Sequence, residues 1–222
     1  MLSRNQSDLH IFDCDGVILD SNNLKVSALR SSLEFIEAPS TFIDWATHEF
    51  STNFGRTRAK HFEIFLRYAE TQGLLLDKKD MNVSMQRYSE NVVNLYKDCD
   101  VINETDRYIK KLPSSSLIYV VSASNQSELR SVLPSRCPRL KSSHIYGGPL
   151  SKVENIKNVM GITGINKAAF YGDSVHDAKA AITCRLKFYG LSKYSADKES
   201  LKDFCNKKNL GLYSDCLRLM DK

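Results

Sequence analysis

Residues 9–21 read LHIFDCDGVILDS: a mostly apolar run is followed by two acidic residues and a glycine, and then by a second apolar run. A short apolar run bounded by turn-forming residues predicts a buried strand at 9–12. Asp13 and Asp15 are two residues apart, so an extended backbone places both carboxylates on one face, and Gly16 allows a sharp turn beyond them. Neighbouring carboxylates repel each other unless a cation lies between them, and Mg²⁺ binds through one or two carboxylates plus a phosphate. An ordinary acidic turn is the alternative that this stretch leaves open.

Further apolar runs predict that the first strand belongs to a parallel sheet. Strands are predicted at 117–121, 168–171 and 187–190, with helices at 127–133, 152–160 and 176–183. Strands that alternate with helices in this way are typical of a parallel sheet that is covered by helices on both faces.

The segment between the first two strands breaks this alternation. Apolar residues repeat at helical spacing in 22–35, 58–69 and 83–96, and a short helix is predicted near 106–112. A long helical segment in this position predicts an all-helical domain inserted into a loop of the first domain. We therefore predict an α/β fold, with a sheet-containing core formed by residues 1–20 and 105–222 and a helical insertion at 21–104.

A second acidic group follows the strand predicted at 168–171. The chain continues there as Gly172-Asp173, and Asp177 lies four residues farther on. Because the carboxyl ends of parallel strands meet at one rim of the sheet, Asp173 is expected to join Asp13 and Asp15 around one ion. Asp177 can equally be a carboxylate that favours the amino end of a helix.

Two other positions offer the donors that a phosphate needs. Ser122 ends a strand and precedes a helix, where a hydroxyl and backbone N–H groups can hold phosphate oxygens. Lys152 stands at the start of a predicted helix, which is unfavourable for the helix dipole and indicates another role, such as balancing carboxylates and phosphate. Taken alone, Ser122 is also an ordinary helix cap and Lys152 an ordinary solvated lysine.

In this order, Asp13-Cys14-Asp15-Gly16, Ser122, Lys152 and Gly172-Asp173 with Asp177 resemble the four motifs of the haloacid dehalogenase-like (HAD) hydrolase superfamily, in its phosphatase members. The helical insertion resembles the C1-type cap of the phosphoglycolate phosphatase and β-phosphoglucomutase branch. The resemblance implies a Rossmann-like core, an essential Mg²⁺ ion and an aspartyl-phosphate intermediate.

The resemblance also implies the roles of individual residues. Asp13 resembles the nucleophile and Asp15 the general acid and base, while Lys152 would pair with the nucleophile and the phosphoryl group. The core residues that would bind substrate are Ser122, Ala123 and Asn125. The groups that would hold Mg²⁺ are Asp13, the backbone carbonyl of Asp15, Asp173 and, in support, Asp177.

The insertion carries candidate groups for the rest of the substrate. The run Asn53–Arg58, a glycine followed by cations at a helix start, resembles the substrate-specificity loop of C1 caps. Arg58 and Lys25 are accordingly predicted to contact substrate, although both can also be ordinary surface cations. The wider run resembles HAD phosphatases encoded with surface-polysaccharide genes, which points to carbohydrate metabolism.

Composition and charge exclude several other classes of function. The net charge is +5, but the basic residues are scattered, so no nucleic-acid partner is expected. No apolar run approaches the roughly 20 residues of a membrane helix, so no membrane partner is expected. The six cysteines form no CxxC pair, and no secretory segment opens the sequence, so we predict a reduced, cytoplasmic protein.

The sequence therefore predicts a Mg²⁺-dependent phosphatase that acts on a small phosphorylated metabolite, such as a sugar, polyol or amino-alcohol phosphate. A sugar phosphomutase shares the chemistry of Asp13 and Asp15 and remains an alternative. A non-catalytic binding protein is the third reading, and the oligomeric state stays open.

Overall fold

A computed structural model of the protein describes residues 9–220, which contain six strands and nine α-helices. The strands are β1 (Leu9–Phe12), β2 (Leu117–Asn125), β3 (Ile145–Gly148), β4 (Ala168–Gly172), β5 (Lys187–Leu191) and β6 (Gly211–Tyr213). The helices are α1 (Asn22–Phe35), α2 (Ser40–Ser51), α3 (Arg58–Thr71), α4 (Lys78–Asp98), α5 (Asn103–Lys111), α6 (Gln126–Arg136), α7 (Lys152–Thr163), α8 (Val175–Thr183) and α9 (Lys198–Lys208).

All six strands belong to one parallel sheet in the order β3-β2-β1-β4-β5-β6. β1 lies between β2 and β4, with Phe12 opposite both Val120 and Tyr171, and its four residues are buried. This register brings the residues that follow Phe12 and Tyr171 to the same rim of the sheet. The predicted α/β fold, a Rossmann-like parallel sheet with a helical insertion, is confirmed.

Helices α1–α4 form the insertion, which we call the cap, between β1 and β2. The two chain segments that connect it with the sheet run side by side: Asp20 N donates to Asp100 O at 2.9 Å, and Ile102 N donates to Ile18 O at 2.8 Å. The division of the chain at residues 21 and 104 stays a prediction.

Four elements, α2, β3, α9 and β6, lie outside the predicted set of strands and α-helices, and β2 is longer than predicted. α2 is rich in β-branched and aromatic residues, which are weak helix formers, and its packing supports it instead, with the ring of Trp45 stacked on Tyr68. α9 buries only Leu201 and Cys205, and β6 has three residues at the sheet edge. Because β2 continues to Asn125, Ser122 lies within a strand rather than after one.

Within residues 9–220, no helix combines the length and the apolar character that crossing a membrane requires. All six cysteines are buried free thiols.

Candidate active site

The ends of β1 and β4 place two carboxylates at the carboxyl rim of the sheet. Asp13 follows β1, and its backbone N–H donates to Tyr171 O at 2.9 Å, which continues the pairing of the two strands. Asp173 follows β4, and Asp177 lies in the first turn of α8. The three carboxylates are almost completely buried, with exposed fractions of 5%, 3% and 0%.

Lys152, the first residue of α7, lies among these carboxylates. Its Nζ donates to Asp13 Oδ2 at 2.7 Å and to Asp177 Oδ1 at 2.5 Å. The other oxygen of Asp177 accepts a hydrogen bond from Ser174 Oγ at 2.6 Å, in a capping box at the start of α8. Asp177 is therefore both a helix-capping carboxylate and an ion-pair partner of Lys152.

This group of side chains has the charge and the donor set to hold a divalent cation. Asp13, Asp173 and Asp177 each offer a carboxylate oxygen, and these oxygens lie within 4.8 Å of one another. Burial, followed by repulsion from Asp177, raises the pKa of Asp13 to about 7, and the same causes raise that of Asp173 well above its usual value. Buried carboxylates crowded together in this way are stabilised by a cation, and their hard oxygens suit Mg²⁺.

A charge count over the whole site leads to the same conclusion. The four buried carboxyl groups carry four negative charges when ionised, and the two buried ammonium groups beside them carry two positive charges. The formal charge that remains is −2, and one divalent cation would neutralise it.

Gly16 is required where the chain turns after the paired aspartates. Its φ of +70° is a conformation that other residues rarely adopt, and a Cβ at this position would lie 2.1 Å from Asp173 Oδ2. Asn22, the first residue of α1, donates from Nδ2 to the same Asp173 oxygen at 2.8 Å. The absence of a side chain at Gly16 thus allows Asp173 to reach both the rim of the sheet and the cap.

Asp15 lies in a separate hydrogen-bond network that joins the core to the cap. It accepts hydrogen bonds from Lys25 Nζ at 2.9 Å, Ser21 Oγ at 2.6 Å, Ser124 Oγ at 2.8 Å and Tyr96 OH at 2.9 Å. Burial would raise the pKa of Asp15, but the Lys25 ammonium and these hydrogen bonds outweigh it and hold the pKa at about 2. Burial likewise opposes the charge on Lys25, but Asp15 raises the pKa of Lys25 to about 12.

The predicted site residues largely meet in one small cavity between the sheet and the cap. Its volume is about 30 Å³, room for about two water molecules. The predicted residues that line it are Asp13, Asp15, Lys25, Arg58, Ser122, Ala123, Lys152 and Asp173. Asn125 instead lines a neighbouring cavity of about 460 Å³, and its side-chain oxygen caps α6 by accepting from Ser127 N and Glu128 N.

Arg58 makes a two-point ion pair across the boundary between cap and core. Its Nη1 and Nη2 donate to the two carboxylate oxygens of Glu128, on α6, at 2.8 and 2.7 Å, and Nη1 also donates to Ser89 Oγ at 2.5 Å. Nearby, a Cβ on Gly55 of the cap would lie 2.6 Å from Cβ of His176 in the core. The cap is therefore closed on the core in this structure.

Sequence reasoning did not identify Tyr96, Ser124, Glu128 or His61 as site residues. Tyr96 repeats at helical spacing with other buried residues of α4, a pattern that indicates core packing. Glu128 has the signature of a favourable helix-start carboxylate and pairs with a residue 70 positions away. Of these four residues, only Ser124 has a sequence position that points to the site, because it follows the predicted strand by a few residues.

Comparisons with known proteins agree with this architecture. A predicted phosphoglycolate phosphatase from Haemophilus somnus 129pt superimposes with a TM-score of 0.78 at 16% identity, over 99% of each chain. A hydrolase from Pseudomonas syringae gives 0.74 at 16% identity, over 97% of each chain. A protein assigned as a beta-phosphoglucomutase from Bacteroides vulgatus gives 0.71 at 14% identity, over 95% of this chain and 85% of the other. At such low identities the similarity establishes the fold alone.

The family assignment comes from a different comparison. The search of curated proteins finds no match. The family model for haloacid dehalogenase-like hydrolases, however, matches residues 10–191, which include Asp13, Lys152 and Asp173 at the rim of the sheet. The chain that builds this closed acidic site thus belongs to the haloacid dehalogenase-like hydrolase family.

Proposed function

We propose that the protein is a Mg²⁺-dependent phosphatase that hydrolyses a small phosphorylated metabolite through a phosphorylated Asp13. The observation that carries the proposal is the buried cluster of Asp13, Asp173 and Asp177 around Lys152, in the chain order typical of the family. The structures assigned as phosphoglycolate phosphatases support the same class of reaction.

In the proposed reaction, a carboxylate oxygen of Asp13 attacks phosphorus, and the bond from phosphorus to the leaving oxygen breaks. Water then attacks the acyl phosphate, which releases inorganic phosphate and restores Asp13. Lys152 orients Asp13 and offsets charge on the phosphoryl oxygens, to which Ser122 donates. Asp13, Asp173 and Asp177 would hold Mg²⁺, which when bound would neutralise further charge on the phosphoryl group.

Asp15 is the proposed general acid and base of both steps. In the closed structure its contact with Lys25 favours the ionised form, which is the form that accepts a proton from the attacking water. To protonate the leaving oxygen, Asp15 must first take up a proton. We propose that Lys25 Nζ leaves Asp15 to contact oxygens of the bound substrate. Without the ammonium group beside it, Asp15 has a higher pKa and can take up a proton.

Substrate entry requires the cap to move. A cavity of about 30 Å³ cannot admit a phosphate ester, so α1–α4 must separate from the core and close again around the substrate. An enclosed site favours a small metabolite over a folded phosphoprotein or a nucleic acid. The buried free thiols are compatible with the predicted cytoplasmic location, which stays a prediction.

A specific observation favours a phosphatase over a phosphomutase. A mutase must hold a second phosphate on the cap side, for which guanidinium groups are the usual ligands. The two arginines of the cap that line the cavity are already paired with carboxylates, Arg56 with Glu49 and Arg58 with Glu128.

Phosphate release from a broad panel of phosphorylated metabolites tests this function. We expect release in the presence of Mg²⁺, loss of release after chelation, and no requirement for a trace of sugar bisphosphate. Activation by the bisphosphate would identify a mutase instead. A panel that releases no phosphate from any compound with Mg²⁺ present would support the binding-protein reading.

A further inference from the structure

Two buried polar atoms on the cap side of the cavity have no hydrogen-bond partner. They are Nε of Arg58 and Nδ1 of His61, and among residues 9–220 the only other such side-chain atom is Asn155 Oδ1. Arg58 and His61 are one helical turn apart on α3, so they share a face of that helix, and both line the cavity. Buried polar groups are nearly always paired in proteins, so two unpaired atoms on residues that line one small cavity mark hydrogen bonds that water supplies before substrate binds and that a ligand group can take over.

His61 presents an acceptor. The ring is packed between Phe50 and Phe65, and burial, with the nearby charge of Arg56, lowers the pKa of His61 to about 3. A neutral imidazole has one N–H group and one acceptor nitrogen. The backbone of Asn53 takes the ring hydrogen bond, which leaves Nδ1 as the acceptor.

Arg58 presents a donor whose position is fixed. Glu128 and Ser89 occupy its Nη1 and Nη2 groups, and the guanidinium lies over the ring of Tyr88, 5.0 Å from the centroid. The remaining Nε–H is held in place by these contacts. Glu128 therefore acts as a positioning residue for Arg58.

A fixed donor and an acceptor on residues one helical turn apart match a hydroxyl group, which both accepts and donates a hydrogen bond. An ammonium group would pair with His61 but would be repelled by Arg58 and by Lys25, which lines the same cavity. A carboxylate would pair with Arg58 but would place its lone pairs against those of His61 Nδ1. A plain alkyl group would leave both atoms unpaired, which is costly in a buried site.

We propose that Arg58 Nε and His61 Nδ1 form a subsite that binds a hydroxyl group on the leaving group of the substrate. The proposal rests on the proposed phosphatase function and narrows its substrate to an uncharged, hydroxylated leaving group such as a polyol or a sugar. The aromatic rings of Phe50, Phe54 and Tyr88 line the same cavity and would pack against its carbon-bound hydrogens.

Matched substrates and variants at His61 test the subsite. The hydroxylated probes are glycerol 3-phosphate, erythritol 4-phosphate and glucose 6-phosphate, and the probes without hydroxyls are n-propyl and n-butyl phosphate. His61→Phe keeps an aromatic ring and removes the acceptor, whereas His61→Asn keeps an acceptor close to the position of Nδ1. The control is His48→Phe on α2, because His48 is exposed and does not line the cavity.

We expect the unmodified protein to prefer the best hydroxylated probe over the alkyl phosphates by at least about tenfold in kcat/KM. His61→Phe should reduce this preference to about threefold or less, by lowering kcat/KM for the hydroxylated probes more than for the alkyl phosphates, and His61→Asn should restore part of the preference. His48→Phe should preserve the preference, and thermal unfolding would verify that each variant is folded.

Two results would overturn the proposal in distinguishable ways. If the unmodified protein hydrolyses hydroxylated and alkyl phosphates equally well, or if His61→Phe keeps the preference, the subsite is wrong and the phosphatase function stands. If no probe and no aryl phosphate releases phosphate with Mg²⁺ present, the proposed function fails and the subsite fails with it.

Discussion

The core side and the cap side of the cavity differ in how well their polar groups are paired. On the core side, Lys152 contacts both Asp13 and Asp177 directly, at 2.7 and 2.5 Å. On the cap side, Arg58 Nε and His61 Nδ1 are buried without partners. A network that already holds its own residues in place suits a group that every substrate shares, here the phosphoryl group. Unpaired atoms suit the part of the substrate that distinguishes one metabolite from another.

The largest expected effect lies on the core side. Asp13→Asn removes the proposed nucleophile while keeping nearly the same shape, so kcat should fall by at least about 10⁴-fold for every substrate. Steady-state phosphate release measures the loss, with Asp44→Asn on the exposed face of α2 as the control. If the folded Asp13→Asn protein kept activity within about tenfold of the unmodified protein, Asp13 would not be the nucleophile and the role given to the core side would be wrong.

The next effect concerns Mg²⁺ binding and pH. The pKa of Asp13 is raised from 3.8 to about 7 in the metal-free protein, chiefly by burial. Below about pH 7, Mg²⁺ must therefore displace a proton from Asp13 and a second from Asp173, whose pKa is also raised, so the Mg²⁺ affinity should rise at least about tenfold per pH unit. Calorimetric titration of the protein with Mg²⁺ from about pH 5.5 to 8.5 measures this slope. An affinity that is flat across this range would contradict the predicted metal site.

The same raised pKa has a consequence for stability without metal. Because the folded pKa exceeds the unfolded value of 3.8, the Asp13 contribution to the free energy of unfolding is fully present below pH 3.8. It is lost as the pH rises towards about 7. Stabilisation by Mg²⁺, measured as an increase in Tm, should accordingly be larger at pH 8 than at pH 5.5.

A smaller effect is expected from loss of the ion pair between Glu128 of the core and Arg58 of the cap. Glu128→Gln removes the charge that positions Arg58, so kcat/KM should fall about tenfold for hydroxylated phosphates and by less for alkyl phosphates, which have no hydroxyl for Arg58 Nε to bind. The matched control is Glu63→Gln, because Glu63 forms exposed ion pairs on α3, the cap helix that carries Arg58. Loss of its charge should lower kcat/KM by less than about threefold. A Glu128→Gln protein with unchanged kinetics would show that the ion pair has no role in the closed state.

The sequence indicated residues of both core and cap that line the cavity, among them Lys25 and Arg58, but it did not indicate the partners that hold them there, for physical reasons. Asp13 and Asp173 follow strands and Lys152 starts a helix, so local patterns plus the geometry of parallel strands bring Asp13 and Asp173 together. Tyr96 and His61 lie in helices whose spacing indicates only buried faces, and their partners come from distant parts of the chain. Long-range pairings of this kind depend on how the cap packs on the core, which no local pattern specifies.

Trapping the phosphorylated enzyme tests whether Asp13 is the nucleophile. The protein is mixed with Mg²⁺ and the best substrate of the panel, quenched in acid within the first turnovers, and digested for mass spectrometry. We expect one phosphoryl group on the peptide that contains Asp13, located at Asp13 by fragmentation. The Asp13→Asn protein should carry no phosphoryl group on this peptide. A phosphoryl group on another residue, or rapid turnover with no modified peptide at any quench time, would contradict this assignment of the nucleophile.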